Sequence, residues 1–327
     1  MTPSAENPPS SPPSAAHGAR SHARQAGPVV VIGHCVLEHR FEVSRLVSGT
    51  GQHAAHGYRT VVGGPAGRAA CAAHRLRHAS ASPRVRLVSA IGDDEAGAAL
   101  LRALNHQGLS RQGLLTVPGA RTAISAVLVA AHGEQQVHHF AGDALERAGP
   151  LDPATWRDAV AVQVDTRWPA VALSVLEDCR RCGVPTLLAA DAAPADVLQS
   201  LAPLADWVVF TVDGLRAWAG ERHAIWQTLA RHAARQLERV QLVVALGAEG
   251  AWWHPPDGRQ ITLPAEPPQG VDVGASADVL RGALLLGLGE GRSAGFAMRW
   301  ALAAASLAGG GRPLARSAVK VALETAV

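Results

Sequence analysis

Asp278 stands where a run of small residues, Val271-Asp272-Val273-Gly274-Ala275-Ser276-Ala277, gives way to the apolar stretch from Val279 to Gly287. The first turn of a helix leaves backbone N–H groups unpaired and carries partial positive charge, so it attracts an anion such as a phosphate. A carboxylate beside an anion held that way can take a proton from an attacking hydroxyl. Read structurally, the same residue is an N-cap before a buried helix. Both readings stay open on this stretch alone. Two further segments carry residues suited to binding. Glu38 follows closely on an apolar strand that ends at Gly33, where open α/β sheets place their ligands. Gly63-Gly64 precedes a helix of small residues and allows close backbone approach. His138 and His139 are neighbours on one strand, so at most one of them faces a site.

The elements that must position these residues follow a simple pattern. Pro28 to Gly33 reads as the buried first strand of a parallel sheet. His34 to Val43, Tyr58 to Val62, Thr122 to Ala131 and Gln135 to Phe140 read as strands that do not fit a helix–strand alternation, the last two joined as a hairpin. From Val160 onward strands and helices alternate, which argues a mostly parallel sheet with helices on both faces. Trp168, Trp207, Trp218, Trp252, Trp253 and Trp300 are expected to pack in the core or at its edges.

Composition narrows the function. With 327 residues the chain is long enough for a large α/β domain, and with 4% aromatic residues its core must be built from Ala, Val and Leu. The net charge is +3 and the basic residues are dispersed, which argues against nucleic-acid binding. Four cysteines make no disulfide framework at this length, and Cys179-x-x-Cys182 lacks a second pair to complete a zinc site. A reducing cytoplasm fits. No apolar run suits a membrane span. Residues 1–27, rich in Pro, Ser, Ala and His, are expected to form a disordered tail before a domain spanning 28–327.

The segments together resemble the ribokinase-like (PfkB-type) carbohydrate kinases, most of all the ketohexokinase and sulfofructose-kinase branch. The resemblance runs from Pro28 to the C-terminus. It is carried by Gly33-His34-Cys35-Val36-Leu37-Glu38, by Gly63-Gly64-Pro65-Ala66-Gly67-Arg68, by Ile91-Gly92-Asp93-Asp94, by Asp165-Thr166-Arg167, by Val209 to Leu215, by Gly247-Ala248-Glu249-Gly250, and by Asp272 to Ala283. It implies a three-layer α/β/α ribokinase-like fold with a mostly parallel sheet and a small β lid drawn from about residues 36–44, 57–62 and 121–141. It also implies transfer of the ATP γ-phosphoryl group to a sugar hydroxyl, with Mg2+ accompanying the phosphates and no dedicated protein metal site. On this resemblance Asp278 is the catalytic base. The N–H groups of Ala275, Ser276 and Ala277 form the anion hole. Glu38, Gly64, Arg68 and Arg167 bind the sugar, and Gly247, Ala248, Glu249 and Gly250 bind the nucleotide. The partner is a small-molecule sugar, with neither nucleic acid nor membrane, and a homodimer through the lid.

The departures from the family signature fall at the site. Ala275-Ser276-Ala277 stands for Gly-Ala-Gly, and alanine costs roughly 1 kcal/mol or more where φ must be positive. Val273 stands for a threonine, and Ala245 lacks a hydroxyl common at the nucleotide turn. Glu38 stands for an aspartate. Arg68 stands for an asparagine, and a fixed cation there suits a sugar with an anionic substituent. The alternative is a degenerate homologue that binds sugar or nucleotide without efficient turnover.

Overall fold

The structure is a computed structural model that describes residues 27–131, 133–265, 273–309 and 312–325. The expected tail, Gly27 apart, lies outside the described residues. In chain order the first half runs β1 (Val29–Ile32), β2 (Val36–Val43), β3 (Gly57–Gly63), α1 (Pro65–Leu76), β4 (Val85–Gly92), α2 (Glu95–His106), β5 (Leu114–Val117), β6 (Ile124–Ala130), β7 (Gln135–Phe140) and α3 (Ala144–Arg147). The second half runs β8 (Ala161–Asp165), α4 (Pro169–Cys182), β9 (Thr186–Ala190), α5 (Ala195–Leu201), β10 (Trp207–Thr211), α6 (Val212–Ala219), α7 (Trp226–Gln236), β11 (Gln241–Ala245), β12 (Ala251–His254), β13 (Ile261–Leu263), α8 (Val273–Gly289), α9 (Ala294–Gly309) and α10 (Arg316–Thr325). The short edge strand β5 and the short helices α3 and α5 escape the sequence reading, because each is too brief to show a clear hydrophobic period.

The main sheet has the order β13-β12-β11-β10-β9-β8-β1-β4-β5. It is parallel from β5 to β11 and closes with the antiparallel hairpin β12–β13. β1 is four β-branched residues, all buried, as a strand covered on both faces should be. Val29 and Val31 face the core shared with α1, α8 and α9. Val30 and Ile32 face the core shared with α4, α5, α6 and α7. This is the three-layer α/β/α arrangement. A second sheet of four strands, order β3-β2-β6-β7, stands apart from it. There β2 pairs antiparallel with β3 and parallel with β6, and β6 pairs antiparallel with β7.

Small residues decide how closely α1 and α8 approach. α1 buries Ala66, Gly67, Ala69, Ala70, Ala72, Ala73 and Leu76. A Cβ added at Gly282 of α8 would lie 2.2 Å from the Ala69 carbonyl oxygen, so the two helices touch backbone to side face. Gly64, at φ 80°, turns β3 into α1 where a Cβ would lie 2.4 Å from the His34 carbonyl oxygen. From Asp278 to Gly287 every residue of α8 is buried, which explains an apolar stretch with no polar face. The helix begins at Val273, so Asp278 is not its N-cap. That structural reading of Asp278 is overturned.

Candidate active site

The carboxyl ends of the central strands and the pocket-facing side of the small sheet enclose a cavity of about 310 Å3. From the main sheet come His34 after β1, Arg167 after β8, Asp191 after β9 and Thr211 at the end of β10. From α8 come Ala277, Asp278 and Arg281. The small sheet supplies alternate residues of its strands, Val36 and Glu38 on β2, Ser125 and Val127 on β6, and Gln135, Val137 and His139 on β7. Glu38, Ser125 and His139 sit side by side in register. Period-two alternation therefore aims one face of this sheet at the cavity.

An alternating chain of charges crosses the site. Arg40 donates to Glu38 Oε1 at 3.0 Å, and Arg68 Nη1 donates to Glu38 Oε2 at 2.8 Å. Arg68 Nε donates to Asp278 Oδ2 at 2.7 Å. Arg281 Nη1 donates to Asp278 Oδ1 at 2.9 Å. Arg281 also makes two bonds to Asp191, at 2.7 and 2.9 Å, and one to the Val209 carbonyl at 3.2 Å. Glu38 and Asp278 are each 3% exposed and Arg281 is wholly buried. Buried charges persist only when paired and hydrogen-bonded, as these are. Burial pushes the Asp278 carboxyl above the ordinary carboxylate range, against the pull of Arg68 and Arg281. Asp191 is only half-buried, and Arg281 holds it below that range against the cost of burial.

The sequence-predicted residues divide on inspection. Glu38, Gly64, Arg68, Arg167, Ala277 and Asp278 line the cavity. Arg68 does so with Nε and Nη1 already committed to Asp278 and Glu38. Arg167 adds a further guanidinium to the residues around the cavity. That guanidinium has no hydrogen-bond or ion-pair partner among the described residues, and only its backbone N–H is engaged, by Asp165. The start of α8 bears on the expected anion hole of Ala275, Ser276 and Ala277. With α8 starting at Val273, the N–H groups left without a helical partner belong to residues 273–275. Ala275 is among these, and Ser276 and Ala277 follow directly in the helix. Gly247, Ala248 and Glu249 form a 3-10 turn after β11, and they do not line the cavity. Gly250, at φ 100°, sits where a Cβ would lie 2.0 Å from the Leu263 carbonyl oxygen, so glycine there serves the β12–β13 hairpin.

Sequence reasoning passed over Arg40, Asp191 and Arg281. Each carried a signal. Arg281 is the lone charge in an apolar helical stretch, three residues after Asp278 and so on the same face. Asp191 directly follows a buried parallel strand. Arg40 lies two residues from Glu38 on one face of a strand.

A second cluster supports the wall. The fully buried Asp165 accepts from the backbone N–H of His34 at 2.7 Å and of Arg167 at 2.9 Å. Burial raises its pKa to about 6. Burial, with His139 and Arg167 nearby, lowers His34 to about 4. These shifts have opposite consequences. His34 contributes stability that is complete above its unfolded value near 6.5 and declines as pH falls towards 4. Asp165 contributes stability that is complete below its unfolded value near 3.8 and declines as pH rises through 6. Each amounts to about 3 kcal/mol, so the two nearly cancel between pH 4 and 6. Replacing His34 by Gln should unmask Asp165. In urea titrations the stability difference between wild type and His34→Gln should widen by about 3 kcal/mol from pH 4 to 6.5. Parallel profiles would show that His34 is charged normally in the folded protein.

A family model described as pfkB family carbohydrate kinase matches residues 27–312. The chain belongs to this family. Among solved structures similar to this PfkB-family chain, an Agrobacterium tumefaciens protein provisionally named a ribokinase superposes with a TM-score of 0.84 at 28% identity. The match covers 92% of this chain and 98% of that one. The ribokinase of Arabidopsis thaliana, solved with ribose and ATP, gives 0.74 at 21% identity, covering 91% and 99%. A nucleoside kinase of Burkholderia thailandensis, solved with inosine, gives 0.71 at 19%, covering 91% and 96%. The fold is thus ribokinase-like over nearly the whole PfkB domain. No helix among the described residues is long and apolar enough to cross a membrane.

Proposed function

We propose that the protein transfers the γ-phosphoryl group of ATP to a hydroxyl of a sugar that carries an anionic substituent, and that Asp278 is the base. One observation carries this reading: a buried carboxylate with a raised proton affinity lines a polar cavity beside the first turn of a helix. A base whose pKa is moved towards the working pH is better matched to proton abstraction. ATP, when bound, supplies the phosphoryl group. The chain's own residues do the rest. Asp278 takes the hydroxyl proton, and the unpaired N–H groups of residues 273–275 suit a phosphoryl group. Glu38 keeps lone pairs for sugar hydroxyls beyond its two arginine bonds. The Gly247–Gly250 turn serves the nucleotide. Mg2+, when it accompanies the nucleotide, would be held by phosphate oxygens and water.

Arg167 takes the anionic substituent, which favours the ketohexokinase and sulfofructose-kinase branch. The small sheet is the lid and excludes water on closing. Its exposed Tyr58 and Phe140, which alternation puts on the face opposite Val137, suit pairing of two copies through the lid. The cytoplasm, where the four free thiols persist, is the compartment.

ADP release with Mg-ATP, across matched neutral and acidic sugars, tests the reading. The acidic sugars should be preferred, and Arg167→Gln should lower that preference roughly 10- to 100-fold, the worth of one charged hydrogen bond. An unchanged preference in the variant would remove Arg167 from the assignment. A second reading, binding without turnover, is favoured by one observation: both Asp278 oxygens already accept from guanidinium groups. Nucleotide binding without ADP release on any sugar would establish that one instead.

A further inference from the structure

Arg281 is wholly buried, sits one helical turn from Asp278, and is held from its other side by Asp191 and the Val209 carbonyl. An arginine in an apolar helix wall needs a reason, since a packed hydrophobic residue there would be at least as stabilising. Its only side-chain partners among the described residues are the two carboxylates that line the cavity. We propose that Arg281, shared between Asp278 and Asp191, is a positioning residue that sets the protonation state and orientation of the Asp278 base. This rests on the reading of Asp278 as the base.

The balance of charges explains how. Asp278 faces Arg68 from α1 and Arg281 from its own helix, with Asp191 behind Arg281. Glu38 and Arg40 act on it through Arg68. Arg167, Asp165, His34 and His139 form the rest of the charged or titratable surroundings. With Arg281 alone Asp278 would be a strongly stabilised, poorly basic carboxylate. Asp191 takes a share of the same guanidinium and leaves Asp278 more basic. With neither, burial would keep Asp278 protonated and unable to accept a proton. Arg281 and Asp191 therefore act in opposite directions on one group. Of the two, Asp191 is the more accessible, so the balance also responds to what enters the cavity.

The test is a 13C-NMR titration of aspartate carboxyls in the full-length protein, with the Asp278 signal assigned by its loss in Asp278→Asn. Arg281→Met should raise the Asp278 midpoint by at least one pH unit, and Asp191→Asn should lower it by a similar step. Arg281→Lys should restore much of the wild-type value. The acid limb of kcat should move with the titration in each variant, while KM for the sugar changes little. A merely structural arginine would lower stability without moving either limb. Unshifted midpoints in both Arg281→Met and Asp191→Asn would overturn the proposal, as would shifts in the same direction. Should Arg281→Met fail to fold, Asp191→Asn alone decides by the sign of its shift. A wild type without turnover would count against the sugar-kinase reading only, because the titration reads Asp278 directly.

Discussion

Asp278→Asn is expected to lower kcat by about 10²- to 10⁴-fold, the usual range for loss of a general base, with sugar and nucleotide binding retained. The change is nearly isosteric, and the charge network tolerates it. Arg281 keeps both bonds to Asp191 and its bond to the Val209 carbonyl, and Arg68 keeps Glu38. Calorimetry of binding and thermal unfolding beside the kinetics would separate the two effects. Loss of turnover with a preserved fold and preserved binding fits a base. Turnover within twofold of wild type would exclude Asp278 from proton transfer.

Gly282→Ala is expected to damage both stability and rate. The added Cβ would lie 2.2 Å from the Ala69 carbonyl oxygen and 2.9 Å from its carbon, backbone atoms that cannot swing aside as a side chain can. α1 and α8 must separate, at a cost of about 1–3 kcal/mol for overpacking a tight contact. The separation acts on the site through Arg68, the residue just before Ala69. Its 2.7 Å bond to Asp278 spans the interface that would open. Urea unfolding should show the lost stability, and kcat should fall further than the small unfolded fraction explains. A variant of wild-type stability would mean that the two helices part without strain, and that their contact does not set the Arg68–Asp278 distance.

The fold was legible because its strongest signals are local. Four consecutive β-branched residues in β1, and the alternation after Val160, leave little room for anything but a covered parallel sheet. The hairpin of β6 and β7 was readable from its turn. The start of α8 was harder. Small residues before Asp278 read equally well as a loop and as the first turn of a helix, and the helix took them because alanine favours it. Of the candidate positions, Glu38, Gly64, Arg68, Arg167, Ala277 and Asp278 line the cavity, whereas Gly247 to Gly250 do not. What the sequence could not convey is partnership. Arg68 reads as a free cation on its own, and only the approach of α1 to α8 reveals that Asp278 and Glu38 occupy it. Arg281 and Asp191 lie 90 positions apart, and nothing local announces that they share a bond.

The most direct measurement is 31P NMR of a reaction of the purified protein with Mg-ATP and an acidic ketose, followed to completion. A sugar-phosphate resonance growing in step with ADP, and absent with Asp278→Asn, is the expected result. ADP appearing with inorganic phosphate alone, or at equal rates in both proteins, would contradict transfer of a phosphoryl group to a sugar hydroxyl at Asp278.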